Sequence, residues 1–313
     1  YSNMPYSDVG NYTFDTYLDF VQQGIYLWEN SPFIQEYPEE FFLNYILFHR
    51  ANDEEIKPCR TFFWEKLKNR IQGLDMEAAI LEINHWCAGE VMYQGTDART
   101  GSALEIYRSG VGRCGEESVF AINALRSAGI PARQVYVPRW SHCDDNHAWV
   151  EVWCNGDWHY IGACEPEAVL DKGWFTNAAS RAMMVSSRWY DRAMPDEDII
   201  GQDGMNRMLN QLSRYAKTKR ITICVKDLDG MPVADAIVKA DVMNYGEFSF
   251  VCDSQKNTDK ATVFAEYENL FEPPECSALI IPEYNNEVDF GGISDTNVEI
   301  TAGKNGGFSI RRL

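Results

Sequence analysis

Residues 110–140 read GVGRCGEESVFAINALRSAGIPARQVYVPRW, and residues 144–153 read DDNHAWVEVW. Gly110 and Gly112 break whatever precedes them. From Cys114 the apolar residues of ESVFAINALRSAG then recur at three- and four-residue spacings until Gly129 and Pro131 stop the pattern, so a helix is expected to begin at Cys114. Downstream, ARQVYVP, HAWVEVWC and DWHYIGA alternate apolar and polar residues, and Asn155-Gly156-Asp157 signals a hairpin between the last two. The pattern predicts a helix whose first residue is a cysteine, facing an antiparallel sheet with His147 at the head of one strand.

The thiol of a free cysteine has a pKa of about 8.5 and is mostly protonated at neutral pH, so a nucleophilic cysteine needs a feature that favours the thiolate. A helix N-terminus offers free N–H groups and partial positive charge, and a histidine can accept the proton. Cys114 and His147, 33 residues apart, are the pair in this position. Either residue alone reads as structural; the order of cysteine helix, Gly-Ile-Pro-Ala-Arg turn, histidine strand and hairpin makes them a catalytic candidate.

This order resembles the transglutaminase-like superfamily, which carries a cysteine helix, a GIPAR turn and a His-Ala-Trp-x-Glu strand. The resemblance implies a papain-like α+β fold and a Cys114–His147 pair; the calcium sites of some transglutaminases are not visible as a motif, and no cofactor is expected. GRCGE, the His-x-Trp-x-Glu strand, and Cys164-Glu165 placed after Trp158 look especially like peptide:N-glycanase. Over NDEEIKPCR (52–60), YQGTDARTGSALE (93–105), GACEPEAVLDKGWF (162–175) and SRAMMV (180–185) the chain resembles uncharacterised transglutaminase-like proteins of gut Bacteroidetes and their relatives. These often end in a β-domain with a segment like DGMPVADA (229–236).

The third triad member departs from the pattern. Superfamily members usually place an Asp four residues after the tryptophan of the second hairpin strand, and counting from Trp158 that position is Gly162. A carboxylate on the far ring nitrogen of the histidine fixes its tautomer and stabilises its protonated form. Glu165, followed by Pro166, is the first choice to supply it, with Asp145 and Asn146 as alternatives. An oxyanion site would combine the Cys114 N–H with a side chain from the preceding region, Gln94 or Trp86, and Cys164 is a further cleft candidate. Glu117 is expected to cap or orient the helix start. Asp144 and Asp145 beside His147 lack the spacing of a zinc site. His49, His85, His142 and His159 are expected to be structural, and Trp140, Trp149 and Trp158 to pack the sheet.

Around this core the 313 residues suggest two domains: a catalytic domain over 1–218, with a helical region over 1–100 and a core over 101–190, and a β-sandwich accessory domain over 219–313. Asp75 is expected to cap the helix starting at Met76. Residues 168–218 read as helix and loop, with a junction at 214–220. The β-type segments are ITICVKDLDG, AIVKADVM, ATVFAEY, SALIIPEY and NVEITAG. A formal charge of −19 argues against a nucleic-acid partner, because phosphate backbones need clustered Lys and Arg. No run reaches the roughly 18 apolar residues of a membrane span, and the start YSNMPYSDVG reads as a mature or trimmed end. Nine cysteines without a CxxC pair indicate neither a zinc site nor a disulfide scaffold. The odd number leaves at least one thiol outside any intrachain bridge, and envelope, extracellular and cytoplasmic locations stay open.

The expected activity is a cysteine-dependent hydrolase that cleaves a peptide, side-chain amide or glycan-linked amide through a thioester. Its substrate would be a peptide, protein or glycopeptide. Two alternatives are a transglutaminase, with an amine in place of water, and a catalytically degenerate peptide- or glycan-binding protein.

Overall fold

The computed structural model describes residues 4–95, 99–140, 142–143, 145–190, 198–203 and 206–226, together with five later strands. The chain forms two compact units: residues 1–136 with 147–176, and residues 137–146 with 177–313.

The first unit opens with helices α1 (Tyr6–Asn11), α2 (Phe14–Asn30), α3 (Glu39–Phe42), α4 (Arg60–Leu67) and α5 (Met76–Glu90). The N-terminal region is helical as its periodicity predicts. Asp75 caps α5, its carboxylate accepting the N–H of Ala78 at 2.8 Å. After β1 (Met92–Tyr93) comes α6 (Ala103–Ser109), started by the reciprocal Ser102–Glu105 capping box. β2 (Val111–Gly112) runs parallel to β1 and leads directly into α7 (Cys114–Ser127). Every residue of α7 from Gly115 to Ser127 is buried, because α4, α5, α6 and the sheet surround it. Buried polar groups on such a helix need partners. Asn123 accepts from Arg60 Nε at 3.0 Å, and Arg126 donates to the carbonyls of Ala132 and Arg50.

β3 (Ala132–Val137), β4 (His147–Cys154) and β5 (Asp157–Ile161) lie in the order β5-β4-β3. β4 and β5 form the expected hairpin, with Trp153 opposite Trp158. Its two-residue turn holds Asn155 at φ 54° and Gly156 at φ 84°, the pair of positive values that a tight hairpin requires. The Arg of the GIPAR turn and the Glu of the histidine strand meet in the core: Arg133 Nε donates to Glu151 Oε2 at 2.7 Å with both side chains 2% exposed. The Arg133 guanidinium also lies 4.2 Å from the centre of the Trp158 ring. Trp158 thus packs the sheet, as expected.

In the second unit, α8 spans Thr176–Ala179 from its boundary and α9 spans Leu212–Tyr215. Between them β6 (Ser186–Trp189), β7 (Ile199–Asp203) and β8 (Asn206–Asn210) form an antiparallel set in the order β6-β8-β7. This corrects the expectation of helix and loop over 168–218. These strands are four or five residues long and carry polar residues at buried places, such as Ser186, Ser187, Arg207 and Asn210. They become strands through their pairing and not through a local apolar alternation.

Beyond residue 217 the described elements are all strands: β9 (Thr218–Lys226), β10 (Lys239–Asn244), β11 (Glu247–Asp253), β12 (Cys276–Pro282), β13 (Asp295–Ala302) and β14 (Phe308–Arg312). They form a four-stranded sheet in the order β12-β9-β13-β14 and the hairpin β10-β11. The expected strand ATVFAEY and the segment DGMPVADA lie outside the described residues. With helices and sheets segregated along the chain, the architecture is α+β.

Candidate active site

Cys114 is the first residue of α7 and is half-buried. The helix start is closed by Glu116, whose carboxylate accepts the N–H of Arg113 at 3.2 Å and that of Gly101 at 3.1 Å. Capping therefore falls to Glu116, whose reach back to Arg113 suits the third helical position, and not to Glu117 as expected. Ser118 Oγ bonds the Cys114 carbonyl at 2.7 Å, and Gln134 of β3 bonds the Gly115 carbonyl at 3.1 Å. The backbone N–H groups of Ala148 and Gly115 favour the Cys114 thiolate. Ala148 follows His147 in β4, so the thiol lies against the start of the histidine strand.

Burial pushes the Cys114 thiol above its ordinary range, while the two N–H groups and the Arg113 charge pull the other way. From sequence the helix start is expected to favour the thiolate; here desolvation outweighs it. Burial thus favours the thiol over the thiolate at rest.

His147 is 7% exposed and sits among aromatic rings. Its ring centroid lies 4.7 Å from that of Trp174, 5.0 Å from that of Phe175 and 5.8 Å from that of Trp149, the last nearly parallel. Trp149 and Phe175 stack at 4.8 Å. Residues 147 and 149 share a face of β4 because side chains alternate along a strand.

Gly162 lies in the chain reversal after β5, bridged to Glu165, whose N–H donates to the Gly162 carbonyl at 3.1 Å. A Cβ built on Gly162 would stand 2.5 Å from Glu165 Oε2 and 2.9 Å from Glu165 Cβ. The Glu165 side chain thus fills the space that a side chain at 162 would occupy. Both Glu165 oxygens accept the indole N–H of Trp174 at 3.0 Å, and Trp174 in turn lies against His147. Burial raises the Glu165 carboxyl, and the Trp174 hydrogen bond counteracts this.

Asn84 of α5 clamps this reversal. Its amide donates to the Gly162 carbonyl at 2.9 Å and its oxygen accepts the Cys164 N–H at 3.0 Å. Cys164 is buried with φ 58°, and its thiol is pushed up by the neighbouring Cys87 thiol and by burial. Glu117 lies one turn after Cys114, 4% exposed, and its carboxyl is raised to about 8 by burial and by Glu165. Where it ionises, its charge opposes the thiolate of Cys114.

The other expected residues divide. Gln94 is exposed, and its N–H donates to Gly112 O at 2.9 Å, two residues before the nucleophile. Trp86 is 4% exposed and packs in the aromatic core with Phe63, Tyr107 and Phe120. Asp145 turns its carboxylate onto the N–H of Asn146 at 2.8 Å. His49 and His159 pair with Asp8 and Asp171. Among the described residues no group of His, Cys, Asp or Glu has the arrangement of a metal site, and no helix is long and apolar enough to cross a membrane.

Sequence reasoning missed Asn84 and Trp174. Asn84 had one signal, a polar residue on the apolar face of α5 beside Ile80, Ile83 and Cys87. Trp174 had none, because its N–H finds Glu165 only after the chain has reversed.

A half-buried cysteine at a helix start, set against a histidine strand in an α+β fold, defines a cysteine–histidine class of site. Residues 65–163 match the family model described as the transglutaminase-like superfamily, so the chain carries a transglutaminase-like domain. That match includes Cys114 and His147 and ends two residues before Glu165. No curated protein matches the chain. Among solved structures it is similar to a candidate cysteine protease from Cytophaga hutchinsonii, with 16% identity and a TM-score of 0.35 over 58% of this chain and 66% of that one. It is also similar to LapG of Legionella pneumophila, with 12% identity and a TM-score of 0.30 over 48% and 76%. A candidate protease from Parabacteroides distasonis follows, with 11% identity and a TM-score of 0.29 over 92% and 44%. This chain therefore spans less than two thirds of the first and third of these, and at such scores the likeness carries no argument about activity.

Proposed function

We propose that the protein is a cysteine-dependent hydrolase of a peptide or side-chain amide, with Cys114 as nucleophile, His147 as its base and Glu165 as the supporting carboxylate. The observation that carries this reading is the placement of Cys114 at the first position of α7, a helix packed against the strand β4 that His147 opens. In the forward step Sγ attacks the carbonyl carbon while His147 takes the thiol proton. The C–N bond then breaks, His147 returns that proton to the amine, and a thioester remains. His147 next deprotonates water, which attacks the thioester, releases a carboxylic acid and restores the thiol. The Cys114 N–H and the exposed Gln94 side chain are the proposed donors to the oxyanion. A catalytic domain over 1–218 and an accessory β-sandwich over 219–313 belong to the same proposal.

The test is incubation with a peptide library, with and without a primary amine, and mass analysis of the products. Cleavage or deamidation that disappears in Cys114→Ala and His147→Ala supports hydrolysis. Amine-bearing products in place of hydrolysed ones would replace it with transamidation, and retention of activity in Cys114→Ala would sink both.

A further inference from the structure

We propose that Trp174 is a positioning residue of this site: its indole N–H fastens the Glu165 carboxylate while its ring caps the His147 imidazole. The inference rests on the function proposed above and adds a residue that lies beyond the family match and to which the sequence motifs give no role.

Trp174 does not behave as a packing tryptophan. It is 63% exposed, whereas its neighbour Phe175 is fully buried against Trp149. Its polar atom is nevertheless committed, because Nε1 stands 3.0 Å from each Glu165 oxygen. One N–H shared between both oxygens holds the carboxylate group in place. The same ring lies 4.7 Å from the imidazole centroid at 54°, within the range of about 6 Å over which an aromatic face attracts a cation. When His147 holds the thiol proton, the ring supplies part of the stabilisation and keeps water from that side of the imidazolium.

The chain around Trp174 is tied down on both sides, as positioning requires. Upstream, Asp171 accepts the Tyr160 N–H at 2.9 Å, pairs with His159 Nδ1 at 2.6 Å, and donates its own N–H to the Tyr160 carbonyl at 3.0 Å. Downstream, Thr176 Oγ1 accepts the Gly173 N–H at 3.1 Å and bonds Tyr160 Oη at 2.8 Å. A Cβ on Gly173 would meet Phe175 Cε1 at 2.7 Å, so the residue before Trp174 has no room for a side chain. An exposed aromatic residue on an anchored loop, with its donor spent on the Glu165 carboxylate and its ring against the imidazole, is placed for the histidine and not for the core.

The decisive measurement is the rate of Cys114 alkylation by iodoacetamide between pH 5 and pH 9, read by mass spectrometry of the Cys114 peptide so that the other thiols do not interfere. It needs no substrate. The wild type, His147→Ala, Trp174→Phe, Trp174→Ala, Glu165→Gln and the double variant Trp174→Phe/Glu165→Gln are compared. Trp174→Phe keeps a ring over His147 and removes the N–H; Trp174→Ala removes both. At pH 6.5 the expected losses are about threefold and about tenfold respectively, the larger at the lower end of the range of about 10–100-fold seen when the groups that orient a functional ligand are removed. The double variant is expected to react no more slowly than Glu165→Gln alone, since the indole N–H acts through that carboxylate. Wild-type rates and profiles in both Trp174 variants would overturn the role of Trp174 while leaving the Cys114–His147 pair intact, as would losses that multiply in the double variant. A wild-type rate no faster than that of His147→Ala at every pH would instead remove the proposed function, and the role of Trp174 with it.

Discussion

Gly162 and Glu165 are best understood as one exchange. At the place where the resemblance leads one to expect an Asp this chain has no side chain, and a carboxylate three residues later folds back into the space, 2.5 Å from where a Cβ would stand. Restoring the Asp alone is therefore expected to fail, because Gly162→Asp forces two carboxyl groups into one volume. Glu165→Ala is expected to lower kcat/KM by about 100-fold. The double variant Gly162→Asp/Glu165→Ala is expected to recover at least about tenfold of that loss, since removing one carboxylate makes room for the other. Steady-state kinetics on a substrate found in the library screen measures this, and a double variant no better than Glu165→Ala would show that Glu165 is not the stand-in. Glu165 was legible as a candidate from its spacing and the proline after it. That it occupies the vacated volume was not, since this depends on a reversal clamped by Asn84 from a helix about eighty residues earlier.

At the scale of elements, α7 and β4 form the frame, and the residues that lock them are those of the sequence motifs. Gln134 ties β3 to the first turn of α7. The Arg133–Glu151 pair joins the GIPAR turn to the histidine strand in the core, both side chains 2% exposed. Truncating one member of such a pair leaves the other charge buried and uncompensated. Glu151→Ala is expected to destabilise the first unit by about 3–5 kcal/mol, and replacing both residues by apolar ones of similar volume to cost less. Urea unfolding followed by tryptophan fluorescence checks this, with Trp158 reporting because it stacks on Arg133. The motif thus encodes framework as well as chemistry. The short strands β6, β7 and β8 were not legible in the same way, because strands of four or five residues with polar residues at buried positions have no periodicity to read.

At the scale of the first unit as a whole, its N-terminal helix is held by a buried charge cluster. Asp8 is fully buried; His49 Nε2 lies 2.7 Å from one of its oxygens, and Arg50 binds both at 2.5 Å. Burial pushes the Asp8 carboxyl up, but His49 and Arg50 together overcome this and hold it at about 2. Because the folded value lies below the unfolded one, ionised Asp8 contributes stability above about pH 4 and loses it as pH falls toward 2. The amount is about 2 kcal/mol. Stability measured in urea from pH 5 to pH 2 is therefore expected to fall by about that much more in the wild type than in Asp8→Asn. Parallel curves for the two proteins would show that the cluster does not carry this dependence.

The sequence by itself determined the helical N-terminal region, the helix that starts at Cys114 and the hairpin after His147. Periodicity, turn chemistry and motif order are local properties, carried by residues close together in the chain. Only the tertiary structure decided that Glu165 fills the space at Gly162, that Glu116 and not Glu117 closes the nucleophile helix, that burial favours the Cys114 thiol over the thiolate, and that Trp174 joins Glu165 to His147. Each of these depends on desolvation or on contact between elements distant in sequence, and neither quantity exists until the chain has packed.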